Sequence, residues 1–271
     1  MRTPITYYGG KQQLSSRIIA MMPKHRLYCE PFFGGGAVFF AKPKGYLEVI
    51  NDKNDRLITF YHVCQNRFDE LADMVQQSLH SESDYLRAKS LYHGRTEATD
   101  IEVAWSVWIL TNFSFSGSIQ GGWKWCNGTA GSHTGVFMRY KRNEFNEKLR
   151  QRLQDVQISC RDALNVIQER DTADTFFYLD PPYPGCVQKH YSGYTFENLE
   201  ELLTKLQGIK GKFILSNYNS PMLEEYVKKN NWKIQQIDMP LRVANLTKAK
   251  RKVEVLVSNY ENEPTIFNET I

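Results

Sequence analysis

The segment Asp180-Pro181-Pro182-Tyr183 combines a carboxylate, a stiff backbone and an aromatic ring. Two consecutive prolines fix φ and remove two N–H donors, so the chain is rigid there and its carbonyls can accept hydrogen bonds. A carboxylate beside a carbonyl forms a pair of acceptors that suits an NH₂ group with two donors. The Tyr183 ring adds a face on which a planar base can stack. The alternative is a strand-terminating turn, because Asp-Pro and Pro-Pro are common in turns.

A second candidate site is the glycine-rich segment Glu30-Pro31-Phe32-Phe33-Gly34-Gly35-Gly36. Glycine permits positive φ and a close approach of the backbone to a ligand. Asp52 lies sixteen positions after Gly36, where a carboxylate of an α/β sheet accepts the ribose hydroxyls of a nucleotide-like cofactor. Because position 39 is Phe, the segment does not fit G-x-G-x-x-G, which disfavours a nicotinamide oxidoreductase. A plain glycine turn is the other interpretation.

The sequence around these two segments alternates between strand-like and helix-like patterns, and the predicted strands and helices would hold the segments in place. Asp180 follows the apolar run TFFYL and so stands at the carboxyl end of a predicted strand, where open α/β sheets bind their ligands. The βαβ rhythm predicts a parallel sheet in residues 1–60 and 156–271. Residues 61–155 are predicted as an inserted, mainly helical domain. Within it, residues 113–140 are rich in Gly, Ser and aromatics, which predicts loops with short strands and a functional role.

Basic and aromatic residues alternate in the insert and form a candidate DNA surface. The basic side chains are Lys124, Arg139, Lys141 and Arg142, and the aromatic ones are Trp123, Trp125 and Tyr140. A small solvated subdomain with an aromatic core is the alternative. The basic run 248–252 is a further candidate phosphate contact, or else a solvated loop.

Composition limits the classes of protein that fit. The chain has 271 residues, 41% of them hydrophobic and 13% aromatic, which excludes a disordered protein. The net charge of +4 permits a nucleic-acid partner without requiring one. Five cysteines without C-x-x-C spacing and six histidines without ligand spacing predict neither a disulfide framework nor a metal site. The N-terminus lacks the apolar core of a secretory signal, so we expect a soluble, cytoplasmic protein without a membrane span.

Taken in order, these motifs resemble the Dam-type DNA adenine N6-methyltransferases, in the arrangement where the cofactor motif precedes the recognition domain and the catalytic motif follows. The resemblance covers roughly residues 4–260. Each motif is short, but their order along the chain is specific. The matching segments are Thr6-Tyr7-Tyr8-Gly9-Gly10-Lys11, Glu30 to Gly36, Ile50-Asn51-Asp52-Lys53-Asn54, Asp180 to Tyr183, Ser216-Asn217 and Glu254 to Tyr260.

The resemblance implies a Rossmann-like methyltransferase fold, with a mostly parallel seven-stranded sheet, helices on both faces and an inserted target-recognition domain. It implies S-adenosylmethionine as cofactor and double-stranded DNA as partner. The residues that it implies for cofactor binding are Tyr7, Lys11, Phe33, Gly34, Gly36, Asp52, Asp162 and Asp180. For Asp162, a helix N-cap is an equal interpretation. Catalysis is assigned to Asp180, Pro181, Pro182 and Tyr183.

The expected reaction is therefore site-specific methylation of the N6 amine of an adenine flipped out of the duplex. Three alternatives stay open: an N4-cytosine methyltransferase, an RNA methyltransferase, and a cofactor-binding DNA protein without catalysis. We expect a monomer, and a restriction endonuclease of the same system is a candidate partner.

Overall fold

The computed structural model describes residues 1–127, 133–184, 193–239 and 252–261. The chain divides into two compact units, each built from two stretches of sequence. The first unit comprises Met1–Ser16 and Phe33–Asp162, and the second comprises Arg17–Phe32 and Ala163–Ile271. The proposed boundary of an inserted domain at residues 61–155 stays a prediction.

A seven-stranded sheet has the order β3-β2-β1-β4-β5-β7-β6. Parallel pairing joins β1 to β4, β2 to β3 and β4 to β5. The last strand along the chain, β7, pairs antiparallel with both β5 and β6. The predicted α/β class with a mostly parallel seven-stranded sheet is thus confirmed. The strands are β1 (Leu27–Glu30), β2 (Leu47–Asn51), β3 (Gln157–Ser159), β4 (Thr175–Leu179), β5 (Lys212–Tyr218), β6 (Lys233–Met239) and β7 (Lys252–Ser258).

Strand β4 is buried along its whole length and ends directly before Asp180. All five of its residues are buried, as expected of a parallel strand that is covered on both faces. Its partner β5 is buried from Phe213 to Asn217. Such a strand cannot continue through a charged residue and two prolines, so β4 ends at Leu179 and Asp180 follows directly.

Helices connect the strands and make up most of the first unit. The described helices are α1 (Ser15–Met21), α2 (Ala37–Ala41), α3 (Asp55–Asn66), α4 (Phe68–Gln77), α5 (Glu82–Tyr92), α6 (Asp100–Phe113), α7 (Thr134–Glu144), α8 (Glu147–Leu153), α9 (Ala163–Arg170), α10 (Phe196–Leu206) and α11 (Pro221–Lys229), with a short 3₁₀ helix at Phe115–Gly117.

Helix α6 is the central helix of the first unit. It begins with a capping box, in which the Thr99 hydroxyl accepts from Glu102 N while the Glu102 carboxylate accepts from Thr99 N. From Val103 to Phe113 every residue is buried, so the helix is covered on all sides. Helices α3, α4 and α5 pack against it.

The prediction of loops with short strands for residues 113–140 is wrong from Thr134 onward, and residues 128–132 lie outside the described residues. One isolated bridge joins Ser114 to Trp123, but α7 begins at Thr134 and continues to Glu144. The helical period is hidden because the face that α7 buries contains Thr134, Met138 and Lys141, of which only one is apolar. Polar residues on a buried face erase the pattern on which a helix prediction depends.

Candidate functional site

One candidate site is the DPPY segment, Asp180 to Tyr183, at the carboxyl end of β4 in the second unit. Pro181 is buried, while Asp180 and Tyr183 are half-buried. This is the edge at which ligands of open α/β sheets bind, as the sequence predicted. The segment therefore presents a carboxylate and an aromatic ring that solvent or a ligand can reach.

The phenol of Tyr183 is held in a network of hydrogen bonds with three side chains. Its oxygen lies 2.5 Å from Glu254 Oε1, 3.0 Å from Ser216 Oγ and 3.2 Å from Asp180 Oδ1. The Ser216 hydroxyl also donates to Glu254 Oε1, at 2.8 Å. The aromatic and acidic ends of the DPPY segment are thus tied to each other and to two further strands.

Strand register explains how Ser216 and Glu254 reach the phenol. In the antiparallel pair of β5 and β7, Ser216 lies opposite Leu256, and Tyr218 lies opposite Glu254. Residues two apart on a strand share a face, so Ser216, Tyr218 and Glu254 lie on one face of the sheet. Both Ser216 and Glu254 are buried. Diagonal neighbours of this kind are close enough for side chains to interact.

In the sequence, Ser216 and Glu254 stand out only as members of segments that resemble the family, and the resemblance assigns neither residue a role. A usable signal was present, because Glu254 interrupts the apolar run of β7, VEVLVS. A charged residue inside a buried strand needs a partner, since an unpaired buried charge is costly. The partner itself, a tyrosine 71 positions earlier, follows only from the fold.

The environment of Tyr183 keeps its phenol protonated. Burial raises the pKa of Tyr183 well above its usual value, and the charges of Asp180 and Glu254 raise it further. The ring meets the Tyr218 ring edge-on, with 4.4 Å between centroids and 70° between planes. Tyr183 is therefore a neutral hydrogen-bond donor with its ring fixed at two points.

A second candidate site is the glycine turn after β1, which lies in the first unit. Gly34 has a positive φ of 49° and donates its N–H to Asp52 Oδ2 at 2.8 Å. The Gly34 carbonyl accepts from the Tyr61 hydroxyl at 2.9 Å. Asp52 directly follows β2, and its other oxygen accepts from Asn54 N at 2.9 Å. The turn and the acidic residue predicted to act with it are thus in direct contact.

Side chains of the protein occupy much of the space that the glycines leave. A Cβ on Gly34 would lie 3.2 Å from the Tyr7 ring, and a Cβ on Gly35 would lie 2.6 Å from Tyr7 Cβ. At Gly36, whose φ is 63°, a Cβ would lie 2.5 Å from Phe33 Cζ. The glycines therefore allow close packing of Tyr7 and Phe33 onto the turn, a use that the sequence did not reveal.

Two residues predicted to bind a cofactor are buried. The Phe33 ring is a core ring, with its centroid 4.7 Å from that of Tyr61 and 5.4 Å from that of Phe39. Any contact of Phe33 with a ligand must therefore use its main chain. Lys11 is also buried, and its ammonium donates to the Gly9 carbonyl at 3.0 Å. Tyr7, by contrast, is half-exposed.

Burial raises the pKa of Asp52, although the N–H groups of Asn54, Gly34 and Lys53 act in the opposite direction. A carboxylate removed from water in this way gains from each additional donor that it accepts. Asp52 accepts a backbone N–H on each oxygen, from Gly34 and from Asn54, and a carboxylate offers about four lone-pair sites in all. The arrangement is suited to bind a pair of hydroxyl groups.

Asp162 lies in the same unit, just before α9, and is exposed. The side chain of Asn51 fixes the preceding residues, since it donates to the Arg161 carbonyl at 3.0 Å and accepts from Arg161 N at 2.9 Å. The main-chain N–H of Asp52 bonds to the Ser159 carbonyl. The structure therefore brings the chain that carries Asp162 next to the end of β2, beside Asp52.

The four predicted DNA-binding residues differ in exposure. Arg139 is exposed, and Lys124 and Arg142 are half-buried. Arg142 donates to the Gln76 carbonyl at 3.0 Å, and Lys124 lies 5.0 Å from the centre of the Phe137 ring. Lys141 is buried, which lowers its pKa. Arg139 is therefore accessible to a ligand, whereas Lys141 is buried in the packing of α7.

Two negative findings concern the described residues alone. They contain no group of three or more His, Cys, Asp or Glu side chains placed to hold a metal ion. Neither is any helix among them long and apolar enough to cross a bilayer. Of the basic run 248–252, residues 248–251 lie outside the described residues.

The comparisons with known proteins agree with the motifs. The model of the D12 class N6 adenine-specific DNA methyltransferases matches residues 7–239. The Type II methyltransferase M1.LlaDCHI of Lactococcus lactis subsp. cremoris is 30% identical, and the alignment covers 94% of each chain. M.MjaIII, a Type II methyltransferase of Methanocaldococcus jannaschii, is 27% identical over 94% of this chain and 98% of its own. The DNA adenine methylase of Escherichia coli K12 is 22% identical over 96% and 95%. The chain therefore belongs to the family of D12 class N6 adenine-specific DNA methyltransferases.

Proposed function

We propose that the chain transfers a methyl group from S-adenosylmethionine to the N6 amine of an adenine flipped out of double-stranded DNA. The observation that carries this proposal is the DPPY segment at the end of β4, with its carboxylate and ring accessible and its phenol tied to β5 and β7. Family membership supports the adenine and the DNA. The cofactor, the duplex and the residue roles are our proposal.

The first unit supplies residues whose chemistry fits the cofactor. Asp52 would accept the ribose hydroxyls, and the half-exposed ring of Tyr7 offers an apolar surface beside Gly34. Asp162 would accept from the adenine amine of the cofactor, next to Asp52. Lys11 would act through the main chain that it holds at Gly9. When bound, S-adenosylmethionine supplies an already activated methyl group, so the chain needs no nucleophile of its own.

Asp180 and Pro181 would act on the target amine. The N6 lone pair of adenine is delocalised into the ring, which makes the amine a poor nucleophile. Hydrogen bonds from its two protons to the Asp180 carboxylate and the Pro181 carbonyl polarise it and favour a lone pair directed out of the ring plane. The amine becomes acidic only once it is methylated, so one of its protons leaves after transfer, to the Asp180 carboxylate and from there to solvent. Positioning the reactants can contribute roughly 7–11 kcal/mol.

Tyr183 would hold the base outside the duplex, and Pro182 keeps the backbone between the ring and Asp180 rigid. Flipping a base costs a few kcal/mol, and stacking a base on an aromatic ring returns about 1–3 kcal/mol. The half-exposed ring of Tyr183 is available for such stacking. Arg139, Lys124 and Arg142 are the proposed contacts to the DNA backbone. A monomeric state and a restriction endonuclease as partner stay predictions.

The test is methyl transfer from labelled S-adenosylmethionine to unmethylated duplex DNA, followed by digestion and identification of the modified nucleoside. We expect N6-methyladenine, its loss in Asp180→Ala, and normal yield in Asp73→Ala, a control that removes an exposed carboxylate on α4. N4-methylcytosine, or transfer to RNA alone, would contradict the proposed substrate. Cofactor binding without any transfer would favour the non-catalytic alternative.

A further inference from the structure

Glu254 lies closer to the Tyr183 phenol than Asp180 does. A phenol carries one proton and donates it to one main acceptor. Glu254 Oε1 lies 2.5 Å from the phenol oxygen, whereas Asp180 Oδ1 lies 3.2 Å away. The shorter contact indicates that the proton of Tyr183 is directed to Glu254 and not to Asp180.

Ser216 reinforces this choice of acceptor. Its hydroxyl donates to the same oxygen of Glu254 at 2.8 Å and lies 3.0 Å from the phenol oxygen. Ser216 and Glu254 are buried between paired strands, so neither can move without disturbing the pairing of β5 with β7. Glu254 thereby fixes the hydroxyl end of the Tyr183 side chain, while the Tyr218 ring packs edge-on against the Tyr183 ring with 4.4 Å between centroids.

We propose that Glu254 is a positioning residue for methyl transfer, which holds the Tyr183 ring in place and keeps its phenol from donating to Asp180. This inference rests on the proposed function, in which Asp180 accepts from the N6 amine. A phenol that turned toward Asp180 would compete with the substrate amine for the same carboxylate. It would also tilt the ring on which the flipped base stacks.

The test uses the full-length chain with Glu254→Ala, Glu254→Gln, Tyr183→Phe and the double variant Glu254→Ala/Tyr183→Phe. We expect Glu254→Ala to lower kcat by about 10- to 100-fold, since small errors of position are costly in catalysis. The KM for DNA and the Kd for S-adenosylhomocysteine should stay within about twofold, the range of independent sites. Glu254→Gln should recover most of the lost rate, because its amide oxygen can accept the phenol proton.

The double variant separates positioning from a structural role. In the Tyr183→Phe background there is no phenol to direct, so we expect Glu254→Ala to change kcat there by less than about twofold. An equal loss in both backgrounds would overturn the proposal, because Glu254 would then act independently of Tyr183. Wild-type kcat in Glu254→Ala, or no recovery in Glu254→Gln, would overturn it as well.

Failure of this inference is distinguishable from failure of the proposed function. If the wild-type chain produces no N6-methyladenine, the proposed function fails. If the wild type is active and Asp180→Ala is not, the proposed function is supported, and the Glu254 variants then decide the inference alone. Binding of S-adenosylhomocysteine identifies any variant that has lost its fold.

Discussion

At the scale of single residues, the chemistry is divided between two carboxylates with different surroundings. Asp52 accepts from two backbone N–H groups, and burial raises its pKa. Asp180 is half-buried beside the Tyr183 phenol, whose shorter hydrogen bond is to Glu254. The first arrangement is suited to recognise hydroxyl groups, and the second is suited to accept from an amine.

Asp52→Asn should weaken cofactor binding. The amide NH₂ would face one of the two backbone donors, and one charge-assisted acceptor would be lost. We expect about 10- to 100-fold weaker binding of S-adenosylhomocysteine, the effect of losing one or two such hydrogen bonds. Titration calorimetry measures this directly. Asp73→Ala is the control, and unchanged affinity in Asp52→Asn would contradict the assignment.

The raised pKa of Asp52 also predicts a pH dependence. Hydroxyl donors favour the ionised carboxylate, so affinity should be full above the raised pKa and should fall as the pH falls through it. The fall should begin at a higher pH than for an ordinary aspartate, whose pKa is about 3.9. Calorimetric titrations over a pH series measure it, with Asp52→Asn expected to lack this dependence. A wild-type profile that is flat down to about pH 4 would contradict it.

At the scale of elements, strands fix the groups that we propose react, and a glycine turn fixes residues that we propose bind the cofactor. The sequence predicted the strand TFFYL that became β4, because an apolar run bounded by turn residues is a strong local signal. The sequence pattern also predicts helices near Phe196 to Leu206 and near Pro221 to Lys229, which are α10 and α11 in the structure. Helix α7 was missed, since its buried face carries Thr134 and Lys141.

The candidate site was predictable only in part, because sequence patterns report local structure and several of its contacts join residues far apart in the chain. The DPPY segment and Asp52 are visible in the sequence because each follows a strand. The pairing of Tyr183 with Ser216 and Glu254 depends on the antiparallel register of β5 and β7, which no local pattern reports. The packing of Tyr7 and Phe33 onto the glycines is equally non-local.

Gly36→Ala should destabilise the turn, and Gly94→Ala provides a matched control. Both glycines have a positive φ, of 63° and 67°, so both variants strain the backbone in the same way. Only at Gly36 would the new Cβ lie 2.5 Å from a buried ring, whereas at Gly94 the nearest atom is 3.5 Å away on Arg56. We expect Gly36→Ala to lower the free energy of unfolding by about 1–3 kcal/mol more than Gly94→Ala. Urea denaturation measures both, and equal losses would show that overpacking is unimportant.

At the scale of the whole molecule, the net charge of +4 is too small to explain DNA binding by itself. Binding must depend on where the basic side chains lie. Arg139 is exposed, while Arg142 bonds to the Gln76 carbonyl and Lys141 is buried in the same helix. Of the three basic side chains on α7, Arg139 is the exposed one.

Arg139→Ala should weaken DNA binding equally for all sequences. Loss of one phosphate contact should reduce the slope of log K against log salt concentration by about 1. Fluorescence anisotropy with duplex DNA over a salt series measures the slope. Lys148→Ala, which removes an exposed charge from α8, should leave it unchanged. An unaltered slope in Arg139→Ala would exclude that residue from the DNA interface.

The central claim is that Asp180 accepts from the target amine during methyl transfer. Its most direct test is the single-turnover rate of Asp180→Ala, measured with saturating S-adenosylmethionine and duplex DNA. We predict a rate lower by about 10²–10³-fold, the usual effect of removing one preorganised hydrogen-bonding group from a transition state. The Kd for DNA should stay close to wild type. A normal rate in Asp180→Ala, or a loss of rate that follows entirely from weaker binding, would contradict the account.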